Sequence, residues 1–206
     1  MDDCIQFGCG FSAPDEWVNF DASLTLFYEK IPLFGKMFTK NNIRFPGNIR
    51  YGDIVKGLPV ADNSCLAVYC SHVLEHLALD EIDTALKNVF VMLKTGGIFR
   101  MVLPDLEYAI QQYRADTSPQ AAETFMRGTG LGRQKRLKSL PEFLITLWGR
   151  SQHLWMWDYR SLEKKLMEVG FSNIRRAEMG DSSDPMFQWV EDAIRWQNCL
   201  GIECRK

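Results

Sequence analysis

Apolar positions along the chain cluster in short runs, most of them interrupted by polar residues, that alternate with longer stretches of three-to-four periodicity. The runs are Cys4–Phe7, Trp17–Phe20, Ile49–Tyr51, Leu66–Cys70, Ile98–Leu103, Phe171–Ala177 and Leu200–Cys204. The continuous apolar character of Leu66–Cys70 predicts a strand covered on both faces rather than one with a wet side. After Leu66–Cys70 comes Ser71–Leu77, and a helix is then expected to run to Leu93, because Ile82, Leu86, Val89, Phe90 and Leu93 keep the helical period. Lys94-Thr95-Gly96-Gly97 stops it, glycine supplying the left-handed cap. Further helices are predicted at Leu106–Arg114, Leu140–Trp148 and Arg160–Val169, the last capped by Gly170, and a short one opens at Asp184-Pro185 and runs to about Trp196. In Leu24–Phe38 the helical spacing of Leu24, Phe27, Ile31 and Phe34 is broken by Pro32 and Gly35, which predicts a helix, a kink and an apolar flap. Asn41–Asn48 reads as a loop turning at Pro46-Gly47. Strands that alternate with helices in this way form a parallel sheet with helices on both faces.

The length of 206 residues suits one large domain, and a chain of this size buries roughly 70% of its unfolded surface on folding. A net charge of −2 and a pI of about 6.0 argue against a nucleic-acid binder. The chain has no run of 18 apolar residues, and Met1-Asp2-Asp3 lacks the basic-then-apolar layout of a secretory leader. Cys4, Cys9, Cys65, Cys70, Cys199 and Cys204 form no C-x-x-C pair and sit mostly in apolar runs. They read as reduced thiols of a cytoplasmic protein, and no metal site is expected from them.

Composition says little about chemistry; the chain's first segment says more. The run ending at Phe7 stops at Gly8-Cys9-Gly10, and the next run ends in an acid, Asp21. Side by side, two such strands bring Gly8, Gly10 and Asp21 to the carboxyl edge of the sheet, where open α/β sheets bind ligands. Glycine there lets backbone N–H groups approach a ligand with no Cβ in the way, and a carboxylate at the next strand tip can accept both hydroxyls of a ribose. A nucleoside-containing cofactor is the implied ligand. Gly8-x-Gly10-x-x-Ala13 also spells the dinucleotide fingerprint, but that motif opens a helix and places its acid about 20 residues further on. Asp21 follows Gly10 too closely, and Pro14 intervenes.

With Gly52-Asp53, Leu58-Pro59, Asp62-Asn63-Ser64, Ser71–Leu77 containing Leu-Glu-His, and Leu93–Gly97 added in order, the chain resembles the class I S-adenosylmethionine-dependent methyltransferases of the methyltransferase type 11 group. The motifs span residues 4–105, and Asp158–Phe171 is similar to the family's last helix and strand. The resemblance implies a Rossmann-like, mostly parallel seven-stranded sheet finished by an antiparallel C-terminal hairpin, in a single domain with a helical lid at 106–157. It implies S-adenosylmethionine as cofactor and S-adenosylhomocysteine as product. Phe7, Gly8, Cys9 and Gly10 would surround the methionine part, Asp21 the ribose, Asp53 and Ile54 the adenine, and Ser71 and His72 the sulfonium side. The chain departs from the family in lacking a helix before the first strand, in its short first connection, and in Thr95 where the family's turn carries proline.

Methyl transfer requires a nucleophile, a carbon and a leaving sulfur held in line, and a hydroxyl acceptor also needs a base. His72 and His153 are the candidate bases; a histidine bonded to nearby backbone is the structural alternative for each. His76 lies one helical turn after His72, so on a helix the two would share a face. His72-Val73-Leu74-Glu75-His76 also spells the inverted zinc-peptidase pattern, a hydrolase reading that competes with methyl transfer. A catalytically silent, cofactor-binding relative is the other competing reading. Basic residues in Arg127–Lys138, namely Arg127, Arg133, Lys135, Arg136 and Lys138, suit a mobile lid that attracts an anionic acceptor such as a phosphorylated or acidic sugar. A solvated charged loop explains them as well. The expected activity is O-methylation of a small-molecule or sugar acceptor.

Overall fold

The computed structural model describes residues 3–31, 44–132 and 152–206. Seven strands form one sheet: β1 (Asp3–Phe7), β2 (Val18–Asp21), β3 (Ile49–Tyr51), β4 (Cys65–Ser71), β5 (Leu93–Pro104), β6 (Ser172–Ala177) and β7 (Cys199–Arg205). Their order is β3-β2-β1-β4-β5-β7-β6. Strands β1 to β5 pair in parallel, while β7 runs antiparallel to both β5 and β6. The strand order reverses direction at β1 and β4, so a crevice opens between the carboxyl ends of these two strands.

The helices are α1 (Leu24–Glu29), α2 (Leu79–Met92), α3 (Leu106–Ala115), α4 (Ala121–Gly128), α5 (Tyr159–Val169) and α6 (Ala193–Trp196), with 3-10 turns at Leu74–His76 and Pro185–Trp189. The inward stripes of α2 (Ile82, Leu86, Val89) and α5 (Leu162, Leu166) pack with Val68, Phe99 and Ile202 of the sheet in one core cluster. A second cluster holds Trp17, Tyr69, Val102, Phe187 and Trp196. Capping follows the sequence chemistry. Asp105 Oδ1 accepts from Glu107 N at 2.8 Å and Asp158 Oδ1 from Ser161 N at 2.8 Å, while Gly170 closes α5 at φ 115°.

The helix expected after Ser71–Leu77 begins at Leu79, preceded by a 3-10 turn at Leu74–His76. Three other expectations change. His72 is left-handed at φ 54°, which carries it out of any helical register, so His72 and His76 do not share a helix face. At its far end α2 stops at Met92 and the chain passes directly into β5, so Gly96, at φ 79°, turns within the strand's first residues and is not the helix cap. The run at 184–196 is not one helix but a 3-10 turn and the single-turn α6. Pro32, Phe34 and Gly35 of the expected flap, Arg133, Lys135, Arg136 and Lys138 of the basic stretch, and the helix expected at 140–148 lie outside the described residues.

The second core cluster has a charged roof. Arg100 projects from β5 with no exposed surface (0%). Its guanidinium donates to Glu191 Oε1 at 2.6 Å, Asp181 Oδ1 at 2.9 Å, Glu203 Oε2 at 3.0 Å and the Glu178 carbonyl at 2.5 Å. It also lies 4.7 Å over the Trp196 ring. One buried cation thus fastens the whole segment between β6 and β7 to the sheet.

Candidate active site

The crevice between β1 and β4 is floored by Gly8-Cys9-Gly10. Gly8 and Gly10 stand at φ 65° and 57°, a conformation that side chains with a Cβ rarely adopt. At Gly8 a Cβ would also come within 2.2 Å of Val73 Cγ2. From Gly8 to Trp17 the chain makes turns without a helix, which agrees with the short first connection. Asp21, at the tip of β2, is 8% exposed and knits this loop: its Oδ2 accepts from Gly10 N at 2.9 Å and its Oδ1 from Ser23 N at 2.8 Å. A carboxylate has about four acceptor sites, so two remain for a ligand's hydroxyls.

Asp53 sits two residues past β3, buried, with Oδ1 accepting from Val55 N at 3.0 Å. Gly52 before it has no room for a side chain, since a Cβ would lie 2.7 Å from the Phe20 ring. Ile54 packs into the main core cluster. Phe7 is also core, stacked on Phe99 with ring centroids 6.4 Å apart. Cys9 is buried, and desolvation followed by the Asp21 carboxylate pushes its thiol up to about 12, so it is not a nucleophile.

Gln6, Gly8, Cys9, Ser71, Asp192 and Arg195 line a small cleft at this edge. Among the described residues the buried Gln6 Oε1 and Ser71 Oγ have no hydrogen-bond partner. Orphaned buried polar atoms are costly, and here they fit a polar ligand that supplies the missing bonds. Arg195, on α6, donates from Nη1 to the Ser71 carbonyl at 3.3 Å. Gln6 is visible in the sequence as the lone polar residue of an apolar strand. Arg195 carries no local signal: the sheet topology alone brings it across from the far side of β5.

The three histidines separate into two environments. His72 is engaged at both ring nitrogens, Nε2 at 3.0 Å from the Arg195 carbonyl and Nδ1 at 3.2 Å from Glu75 Oε1. Burial by itself lowers its pKa, but the Cys199 sulfur, the Glu75 carboxylate and the Arg195 carbonyl outweigh that and lift it to about 10. In this arrangement His72 is a cation with no lone pair to take a proton. His76 and His153 instead face each other, ring centroids 4.9 Å apart. His76 Nδ1 bonds the Gln152 carbonyl at 3.0 Å and His153 Nδ1 the Thr129 carbonyl at 2.7 Å. A carbonyl only accepts, so each Nδ1 carries a hydrogen, and the neutral ring has its lone pair at Nε2. Gly130 makes this possible, because a Cβ there would lie 2.7 Å from His153 Nδ1. The segment bearing His153 is held against the turn after β4 by Leu154 N and Trp155 N, which donate to the Glu75 carbonyl at 2.7 and 3.2 Å.

Residues 5–101 match the family model described as a methyltransferase domain. The fold is that of solved methyltransferases. A SAM-dependent methyltransferase from Archaeoglobus fulgidus aligns with 100% of this chain and 87% of its own, at 14% identity and a TM-score of 0.51. PigF, solved with SAH, aligns at 12% identity and a TM-score of 0.53, and the CurJ carbon methyltransferase at 13% and 0.51. These two cover 100% and 98% of this chain, which spans about half of each (50% and 48%). Among curated proteins none matches the sequence. A methyltransferase-domain match over residues 5–101 thus lies on the fold of solved S-adenosylmethionine-dependent methyltransferases. The cradle of Gly8–Gly10, Asp21, Gln6 and Ser71 described above is chemically suited to S-adenosylmethionine.

Proposed function

We propose that the protein methylates an oxygen of a small-molecule or sugar-type acceptor. The observation that carries this reading is the facing pair of His76, on the turn that follows β4, and His153, on the segment held against that turn, each with Nδ1 pinned to a carbonyl. The bound cofactor supplies an activated methyl carbon on a sulfonium. The backbone of Gly8 to Gly10 holds its amino-acid end, Asp21 receives the ribose hydroxyls, and Asp53 reaches the adenine amino group. Ile54, being packed in the core, supports that adenine subsite from beneath. Arg195 adds a positive charge beside Ser71, suited to the cofactor's carboxylate. His72 ties the turn after β4 to α6 and closes the sulfonium side as a clamp, not as the base.

At the reacting centre the acceptor oxygen forms the new O–C bond while the C–S bond breaks and its electron pair returns to sulfur. His153 Nε2 takes the acceptor's proton, with His76 beside it. Alignment supplies most of the acceleration, and the base adds roughly 10²–10⁴-fold. We place the acceptor lid at 106–157 within a single domain: among its described residues α3 directly follows β5, and Trp157 pairs with Asp105 in a parallel bridge. The six unpaired cysteines support a cytoplasmic location, and the acidic balance supports a small acceptor over nucleic acid. Among the described residues no helix is long and apolar enough to cross a membrane.

A panel of phosphorylated and acidic sugars and small phenols, assayed for S-adenosylhomocysteine release, tests this reading. Transfer to a hydroxyl that is lost in His153→Ala while SAH affinity is kept supports it. Transfer only to nitrogen or carbon acceptors, or cofactor binding with no turnover, refutes it.

A further inference from the structure

His72-x-x-Glu75-His76 fails as a zinc-peptidase helix, because His72 turns away to Arg195 and the motif is a 3-10 turn. The fold nevertheless returns a second imidazole to the same place from far along the chain. One ligand atom each from Glu75, His76 and His153 lies within 4.8 Å of the others. Each histidine is already oriented as a metal-binding histidine is, its Nδ1 fixed by a carbonyl and its Nε2 without a hydrogen bond among the described residues. Glu75 provides the independent sign of a missing ligand. It is 1% exposed, and among the described residues neither of its oxygens accepts a hydrogen bond; its Oε1 has only the ion-pair contact with His72. A carboxylate so buried needs compensation by charge, and one imidazolium on one side leaves the other side of the group open.

We infer that Glu75, His76 and His153 bind a divalent transition-metal ion, Zn2+ in the first instance. Two neutral imidazoles and a carboxylate are a donor set of borderline softness, suited to zinc and less so to magnesium, which prefers oxygen. Three protein ligands also leave a position open, as catalytic zinc sites do. Binding of the ion stands independently of the acceptor chemistry. Its role rests on the O-methylation reading: at the open position an acceptor hydroxyl is acidified and releases its proton to water, and His153 serves as ligand where the metal-free protein uses it as base.

The test is a titration of the chelator-treated full chain with Co2+, a coloured stand-in for zinc. About one equivalent per chain should bind with the intense visible absorption of a nitrogen-rich tetrahedral site, and Zn2+ should bleach it. His153→Ala and His76→Ala should abolish the band while thermal midpoint and SAH binding persist. Gly130→Ala, which displaces His153 without removing it, should weaken Co2+ binding at least tenfold. No band, a band unchanged in His153→Ala, or saturation by Mg2+ alone overturns the assignment. Stoichiometric metal with unaltered O-methyl transfer upholds the site and overturns its role in activating the acceptor.

Discussion

Replacing Arg100 by leucine removes the cation on which four chain segments converge. The side chain has no exposed surface, and it satisfies Glu191 at 2.6 Å, Asp181 at 2.9 Å and Glu203 at 3.0 Å. Arg175 still reaches Asp181 and Glu203 in the variant, at 2.6 and 2.8 Å, so the loss falls mainly on the buried Glu191, whose remaining bond is from Gly180 N at 2.8 Å. Breaking a buried pair by removing one partner costs roughly 3–5 kcal/mol, because a charge is left uncompensated. The lost stacking on Trp196 adds to this, and leucine's apolar bulk offsets part of it. Against a domain stability of about 5–15 kcal/mol this is a large fraction. For a chain of this length it lowers the thermal midpoint by roughly 6–20 °C. Urea unfolding followed by tryptophan fluorescence measures it, as a fall in midpoint with little change in slope. The segment freed also carries Arg195, so SAH should bind more weakly in proportion. A loss under about 1 kcal/mol, the scale of an exposed pair, would refute the view that this network fastens the segment to the sheet.

Other perturbations follow from the same geometry. Asp21→Ala should weaken SAH binding by roughly 1–3 kcal/mol in calorimetry, the scale of a charged hydrogen bond, and an unaltered dissociation constant removes the ribose assignment. Gly8→Ala meets a left-handed φ costing about 1–2 kcal/mol and a clash with Val73; Val73→Ala in the same chain should restore part of the lost stability and cofactor affinity, and no rescue would place the defect elsewhere. Arg195→Gln should raise the KM for the cofactor more than it lowers kcat if the guanidinium meets the methionyl carboxylate. Burial by itself would raise the Asp181 carboxyl pKa, but Arg175 first, then Glu178 N–H and Arg100, hold it well below the ordinary carboxylate range. A pKa lower in the folded than in the unfolded state gives stability that is complete above about pH 5 and is lost as pH falls through the folded value. The acid limb of thermal stability should therefore flatten in Asp181→Asn.

Most of the sheet was legible from residue order, since buried parallel strands are apolar throughout and α2 and α5 repeat every three to four residues. The Gly8–Gly10 turn and the acids at Asp21 and Asp53 were legible for the same local reason: positive φ demands glycine, and strand tips show where apolar runs end. The left-handed turn at His72 was not, because its Nε2 is held by the Arg195 carbonyl, 123 residues further along the chain, and its Nδ1 by Glu75. Arg100 sits within a run that reads as buried strand and gives no hint of the three acids that neutralise it. The pairing of His76 with His153, and their separation from a His72 engaged at both ring nitrogens, depends on the return of 152–155 to Glu75. Local sequence determines which residues turn, extend or coil, because those choices are made by neighbouring atoms. Charge state, ligand grouping and the closing of the cleft depend on which distant segments the sheet order brings together, and only the tertiary structure decides that.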